Sequence, residues 1–339
     1  MAKASEKTVN TDNETVTSGE VQDLHGTIAK KELHKVFDIP EKSALSARGT
    51  PINISVIEGH SRDVQMFVPE VDNNYIFPID NLKNIIVGLE INAPVLVWGM
   101  HGTGKTTLIE QVCARTQRPW FRVQHTSSTE EADIVGQYVV KNGETVFELG
   151  PLPKAMMNGL TYVADEYDFA LPSVVAVYQS VLEGKPLVIK EAPHELRVIK
   201  PHPNFRFLAT GNTNGAGDET GLYQGTTMQN AAAYSRFQIT LKMDYMPKDQ
   251  EVSVLMAQAG LAKADAETLV MIAEKIREKF ANREIETTIS PRELITAGRL
   301  ACLFGMVPDL ERGLNLSFMN RLNSTDKRAV EDFTAKYFA

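Results

Sequence analysis

The chain has 339 residues, 43% of them hydrophobic and 23% charged, which is enough apolar mass for one large domain or two smaller ones and argues against wholesale disorder. Thirty-five basic residues against 43 acidic ones give a net charge of −8, which speaks against a general nucleic-acid or anionic-membrane binder. Two distant cysteines, Cys113 and Cys302, exclude a disulfide framework and a cysteine zinc site and point to the reducing cytoplasm; no apolar signal core opens the chain, and Glu90, Asn92 and Pro94 interrupt its most apolar stretch, so no membrane span is expected.

Residues 1–31 are polar, without a hydrophobic period, and read as a disordered tail. Residues 32–68 read as an N-terminal extension: an amphipathic turn or two at 32–37, then a loop-like stretch up to about residue 64. From 69 to 245 short apolar runs alternate with helical patterns. The runs lie at 94–98, 120–123, 161–164, 205–209 and 238–241; their alternation with helices makes the fold class α/β, a parallel sheet with helices on both sides, and most of them are apolar on successive residues, as expected of strands buried on both faces. Two hairpins interrupt the rhythm. One spans 136–149 around Asn142-Gly143, and a looser one spans 187–199 around Ala192-Pro193-His194. Residues 246–339 read as a small helical domain, with helices at 249–258, 264–282 and 326–338. A further helix opens at Ser290-Pro291-Arg292-Glu293: Ser290 fits the N-cap, Pro291 the first helical position, and Glu293 completes a capping box.

The segment from Gly99 through Met100, His101, Gly102, Thr103, Gly104 and Lys105 to Thr106 fits the pattern GxxxxGKT, with Thr107 next to it. It follows a buried strand and precedes a helix with Leu108, Ile109, Val112 and Cys113 on its apolar face, the context a phosphate-binding loop requires. Glycines let the backbone curl so that its N–H groups face the phosphates, and the helix N-terminus adds partial positive charge. Lys105 then reaches the β- and γ-phosphates, and Thr106 offers its hydroxyl to Mg²⁺.

The strand at 161–164 ends in Asp165-Glu166. In an open α/β sheet ligands sit at the carboxyl ends of the strands, so Asp165 is expected to hold Mg²⁺ and Glu166 to polarise the attacking water. Asn212, at the end of another buried strand, is a candidate for the γ-phosphate or the water; a turn-forming Asn is the alternative. Arg236 precedes the last strand, where a guanidinium can reach a neighbour's nucleotide. Arg292 sits near a helix N-terminus, an unfavourable place for a cation, which implies an anionic partner: the γ-phosphate, or Glu293. His194 and His202 lack a third ligand at suitable spacing and read as hairpin and exit loop.

Taken together, the phosphate loop, the Asp-Glu strand, the Asn strand end, Arg236-Phe237 and a helical domain opening with Ser290-Pro291-Arg292 resemble the AAA+ ATPases. The two hairpins resemble those of the MoxR/magnesium-chelatase clade. The stretches 101–115, 164–168, 197–226, 245–252 and 290–295 are similar to the CobS-like subunits of aerobic cobaltochelatases, a likeness that covers about residues 65–339. The resemblance implies a helical lid, a homo-oligomeric hexameric ring with ATP at subunit interfaces, and Lys105, Thr106, Asp165, Glu166, Asn212, Arg236 and Arg292 in the matching roles. It also implies a CobT-like partner with a von Willebrand-type domain and a large subunit that inserts cobalt into hydrogenobyrinic acid a,c-diamide. A MoxR-type chaperone with a similar partner and another client is the alternative. A DNA-acting ring is a third reading, against which the acidic balance speaks.

Overall fold

The computed structural model describes residues 26–217, 223, 225–226, 228–303 and 306–338. Residues 1–25 of the expected tail, and 218–222 and 224 of the 197–226 stretch, lie outside the described residues. The chain enters as strand β1 (Thr27–Glu32), helix α1 (Leu33–Phe37) and strand β2 (Asn53–Glu58), followed by helix α2 (Arg62–Gln65). Strands β1 and β2 pair antiparallel from Thr27↔Glu58 to Glu32↔Asn53. This corrects two expectations, since the tail was expected to run to residue 31 and the region to 64 to be a loop. β1 shows mostly exposed side chains and so carries no hydrophobic period. Its order comes from β2, whose Ile54, Val56 and Ile57 are buried. A carboxylate pins the pair from helix α3 (Ile79–Ile91): Glu90 Oε1 accepts Ser55 N–H at 2.5 Å, and Lys30 Nζ donates to Oε2 at 2.6 Å.

After α3 come β3 (Val95–Trp98), α4 (Lys105–Arg115), β4 (Trp120–Gln124) and α5 (Glu131–Val135). The hairpin β5 (Gly136–Lys141) and β6 (Glu144–Leu149) leads to α6 (Pro151–Met157), β7 (Thr161–Asp165) and α7 (Pro172–Leu182). Then follow β8 (Leu187–Val188), β9 (Val198–Ile199), β10 (Arg206–Gly211), α8 (Ala231–Tyr234) and β11 (Ile239–Lys242). Five of these strands, β11-β3-β10-β7-β4 in spatial order, form one sheet in which every neighbouring pair is parallel.

Strand period 2 explains why the central runs are apolar on successive residues. Leu96, Tyr162, Ala164, Phe207 and Ala209 face a core closed by α5, α6 and α7. Val95, Val97, Val163 and Leu208 face the opposite core, built on α3 and α4 with Leu33, Phe37, Ile54 and Val56 of the N-terminal unit. Both hairpins form. The first turns at Asn142 (φ 54°) and Gly143 (φ 84°), the left-handed pair a two-residue turn requires. The second pairs only Leu187↔Ile199 and Val188↔Val198, because a 3₁₀ turn at His194–Leu196 follows Pro193 and takes up the intervening chain.

The helical domain comprises α9 (Lys248–Ala259), α10 (Lys263–Ala281), α11 (Pro291–Leu303), α12 (Leu310–Ser317) and α13 (Ser324–Phe338) around a separate core centred on Leu269, Ile272, Ile276, Leu294 and Phe318. Gly260 stops α9 in the left-handed conformation (φ 73°). The capping box at α11 forms as the sequence expects: Ser290 N–H donates to Glu293 Oε2 at 2.6 Å, and Glu293 N–H to Ser290 Oγ at 3.4 Å. No helix among the described residues is long and apolar enough to cross a membrane.

Candidate functional site

The loop from Gly99 to Gly104 joins β3 to α4 at the carboxyl end of the sheet. Gly104 is left-handed (φ 88°) and caps α4, so the loop turns directly into the helix N-terminus. Gly102 is also left-handed (φ 70°), and a Cβ there would collide with Ser290 at the start of α11. The loop therefore packs against the helical domain at its capping box, and any side chain at 102 would push the two apart.

Lys105 opens α4 and is 8% exposed. Its Nζ donates to Gly99 O at 2.7 Å, Met100 O at 2.9 Å and Asn212 Oδ1 at 3.0 Å. Burial pulls its pKa down to about 8, against the opposing pull of Asp168, Asp165 and Glu166. Thr106 Oγ1 donates to Asp165 Oδ1 at 2.7 Å. The structure thus brings Lys105, Thr106, Asp165 and Asn212 together from three separate sequence segments.

Asp165 is buried at the end of β7 and held on both oxygens. Thr210 Oγ1 and Thr106 Oγ1 donate to Oδ1; Arg122, from the edge strand β4, donates to Oδ2 through Nε at 2.7 Å and forms an ion pair there through its terminal nitrogen. Glu166 follows in the left-handed conformation (φ 54°, ψ 44°), strain of the kind found where a side chain must be aimed. Its Oε2 accepts Gln124 Nε2 at 2.9 Å, while its N–H donates to Thr210 Oγ1 at 3.1 Å.

Asn212 lies just past β10. Its N–H donates to Asp168 Oδ2 at 2.9 Å, and Thr213 donates to the same oxygen through N at 2.8 Å and Oγ1 at 3.0 Å. The turn that follows contains Gly215 and Gly217 at positive φ, so a turn and a polar strand end coexist here. On the far side of the loop, Tyr223 OH accepts His101 N–H at 2.9 Å and meets His101 Nδ1 at 3.2 Å. Burial, with the positive charge of Lys105 and Arg292, lowers the His101 pKa.

The two arginines differ. Arg292 lines a cleft of about 260 Å³ between the loop and the helical domain, together with Asp72, Gly102, Thr103, Gly104, Thr107 and Arg299. Glu293 is taken by Ser290 N–H and an ion pair to Arg321, so it does not pair Arg292, whose guanidinium has no hydrogen bond or ion pair among the described residues. Arg236 is tied elsewhere, donating through Nε to Glu183 Oε1 at 2.8 Å and through a terminal nitrogen to Ala232 O at 2.6 Å. Neither of these bonds reaches the loop.

Arg122, Gln124, Asp168 and Thr210 belong to the site, yet the sequence assigns them no role, although Asp168 and Thr210 fall within the stretches 164–168 and 197–226. Their signal is faint: polar residues at the carboxyl ends of β4 and β10, and a second aspartate three positions after Asp165. The donor set suits a hard divalent cation, since the Thr106 hydroxyl and the Asp165 carboxylate are oxygen ligands already in contact with each other. Among the described residues, no group of three or more His, Cys, Asp and Glu side chains is placed to hold a metal ion.

Residues 94–237 match the family model of the AAA domain (dynein-related subfamily), and residues 251–309 that of the CbbQ/NirQ/NorQ C-terminal domain. The aerobic cobaltochelatase subunit CobS of Sinorhizobium sp is 35% identical over 308 residues, covering 85% of this chain and 91% of that protein. Protein NorQ of Paracoccus denitrificans is 25% identical over 278 residues, 81% of this chain and 95% of its own. The gas vesicle ATPase GvpN of Ancylobacter aquaticus is 28% identical over 236 residues, covering 64% of this chain and 63% of that one.

Proposed function

Because the chain belongs to the AAA+ ATPases, as a MoxR-like member resembling CobS, we propose that it is a ring-forming motor that hydrolyses ATP to remodel a partner, and that it is the CobS-like subunit of an ATP-dependent cobaltochelatase. The client reaction is insertion of cobalt into hydrogenobyrinic acid a,c-diamide, carried out with a CobT-like von Willebrand-domain protein and a large chelatase subunit. What supports this reading is the likeness to CobS across 91% of that protein's length, joined to the convergence of Lys105, Thr106, Asp165 and Asn212 on one point.

In this reading the N–H groups of Gly99–Thr107 and the Lys105 ammonium hold the triphosphate. Thr106 and Asp165 hold Mg²⁺, which when bound neutralises phosphate charge. Arg122 and Thr210 keep the Asp165 carboxylate aimed at that point. Glu166 accepts the proton of the attacking water once its bond to Gln124 is broken. Asn212 orients the water or the γ-phosphate, and Arg292 adds positive charge from the helical domain.

Arg236 acts across the subunit interface of a hexamer, exchanging Glu183 for a neighbour's γ-phosphate. Arg236→Ala is expected to cut turnover by about 10³-fold, leaving nucleotide affinity within threefold. Mixing this variant with Glu166→Gln subunits should restore part of the activity, since some interfaces then combine an intact Glu166 with an intact Arg236. No recovery on mixing, or loss of nucleotide binding in Arg236→Ala alone, would show that Arg236 is structural.

Reconstitution tests the chelatase role. Cobalt insertion by the purified large subunit and the CobT-like protein should require this chain and ATP, and native mass measurement should show a six-subunit ring when ATP is added. Full-rate insertion without the chain would sink the assignment. The second reading, a MoxR-type motor for a different client, has support in the likeness to a gas vesicle ATPase, and it would stand if the ring hydrolysed ATP yet left cobalt insertion unchanged.

A further inference from the structure

Asp168 is fully buried, sits outside the phosphate loop, and has no part in the roles assigned above. It lies in a 3₁₀ turn (Tyr167–Phe169) that directly follows the left-handed Glu166. A carboxylate with no accessible surface costs free energy unless donors satisfy it. Here one oxygen, Oδ2, accepts three hydrogen bonds from the end of β10: Asn212 N, Thr213 N and Thr213 Oγ1. Burial still pushes its carboxyl pKa up, so those donors offset the desolvation only in part. Gly211 lies so close that a Cβ there would approach Asp168 Oδ1 at 3.3 Å.

These contacts fix the backbone of residues 212 and 213 on two consecutive N–H groups, which sets the direction in which the Asn212 side chain leaves the strand. The side chain then reaches Lys105, with Oδ1 accepting Nζ at 3.0 Å. A continuous line therefore runs from the lysine through Asn212 to Asp168. The short segment 165–168 holds the Asp165 carboxylate, Glu166 and, at 168, the anchor of a residue from the neighbouring strand. Sheet order makes this possible, because β7 and β10 are adjacent and parallel.

We propose that Asp168 is the positioning residue for Asn212: it locks the 212–213 backbone so that the Asn212 amide faces the γ-phosphate position, and it acts on hydrolysis only through Asn212. This rests on the ATPase reading of the site.

The test is a double-mutant cycle on the full-length protein, with steady-state ATP turnover and binding of a fluorescent ATP analogue read in parallel. Asp168→Asn keeps the size and one acceptor but loses the charge; it is expected to lower kcat about tenfold or more with the nucleotide Kd within threefold. Asn212→Ala should give a similar fall. The double variant should be no slower than the slower single one. Thr213→Val removes a single donor to Asp168 and should lower kcat several-fold with the same Kd; it carries the test if Asp168→Asn does not fold. Wild-type kcat in a folded Asp168→Asn, effects that multiply in the double variant, or a Kd that rises in step with the loss of kcat would each overturn the proposal. When Thr213→Val carries the test, unchanged kcat or a Kd that rises in step overturns it too. A wild-type protein that neither binds nor hydrolyses ATP would overturn the ATPase reading itself, and this proposal with it, before any variant is compared.

Discussion

Replacing Lys105 with alanine is expected to weaken ATP binding about a hundredfold or more, since a hydrogen bond to a charged group is worth roughly 1.5–3 kcal/mol and the ammonium contacts more than one phosphate oxygen. The surroundings of Lys105 explain why the loss is not a folding defect. Among the described residues Nζ donates to Gly99 O, Met100 O and Asn212 Oδ1, and burial holds its pKa at about 8, below the 10.5 of a free lysine. A cation whose folded pKa is depressed destabilises the fold fully below that pKa, and the cost fades as pH rises from about 8 towards 10.5, because over that window the unfolded chain binds the extra proton. At pH 7 the cost is on the order of 3 kcal/mol, from 1.36 kcal/mol per unit. The alanine variant is therefore expected to melt no lower than wild type without nucleotide while failing to bind it. The same pKa predicts a pH profile. Wild-type affinity should be flat below about pH 8 and should weaken above it by up to tenfold per unit, as binding has to recharge the amine. Titration calorimetry between pH 6 and 10 checks both; wild-type affinity in the variant, or a profile flat to pH 10, would count against the site.

The contrast between Lys105 and Asp168 shows what the sequence could reveal. Lys105 and Thr106 are legible because a phosphate loop is contiguous: glycines, lysine and helix start are specified by neighbours in the chain. The three inner strands, β3, β7 and β10, are legible because burial on both faces makes most of their residues apolar. Arg122, Gln124, Asp168 and Thr210 depend on which strands lie side by side. Arg122 reaches Asp165 only because β4 is registered against β7, with Gln124 opposite Asp165. No local pattern encodes that order. The β1–β2 pair fails to show for a related reason: Lys30 and Lys31 face outward, and the carboxylate that fixes the pair, Glu90, stands 35 residues beyond Ser55. Arg236 was legible as a type of residue in a type of place, whereas its bond to Glu183 is a property of this fold and not of a motif.

The helical domain is where a single charge deletion should cost most. Glu251 on α9 and Arg277 on α10 form a bidentate pair at 2.7 Å on both arms, with Glu251 2% and Arg277 11% exposed. Arg277 also donates through Nε to Ile289 O at 3.1 Å and stacks over the Tyr245 ring at 3.9 Å. The pair thus ties α9, α10, the entry to α11 and the chain leaving β11. Removing one partner leaves a buried charge uncompensated, and such losses cost about 3–5 kcal/mol. Glu251→Ala is accordingly expected to raise hydrogen exchange in α9 and α10 by about two to four orders of magnitude, with the sheet unaffected. Nucleotide affinity should fall as well, because Val254 and Gln258 of α9 and Ile295 and Arg299 of α11 line the cleft beside Gly102. Replacing both partners, Glu251→Met with Arg277→Leu, should recover part of the protection, since an apolar pair of similar volume carries no desolvation penalty. It should not recover all, because Ile289 O then loses its donor. Unchanged exchange in Glu251→Ala would mean that the apolar core of Leu269, Ile272 and Phe318 holds these helices without the ion pair.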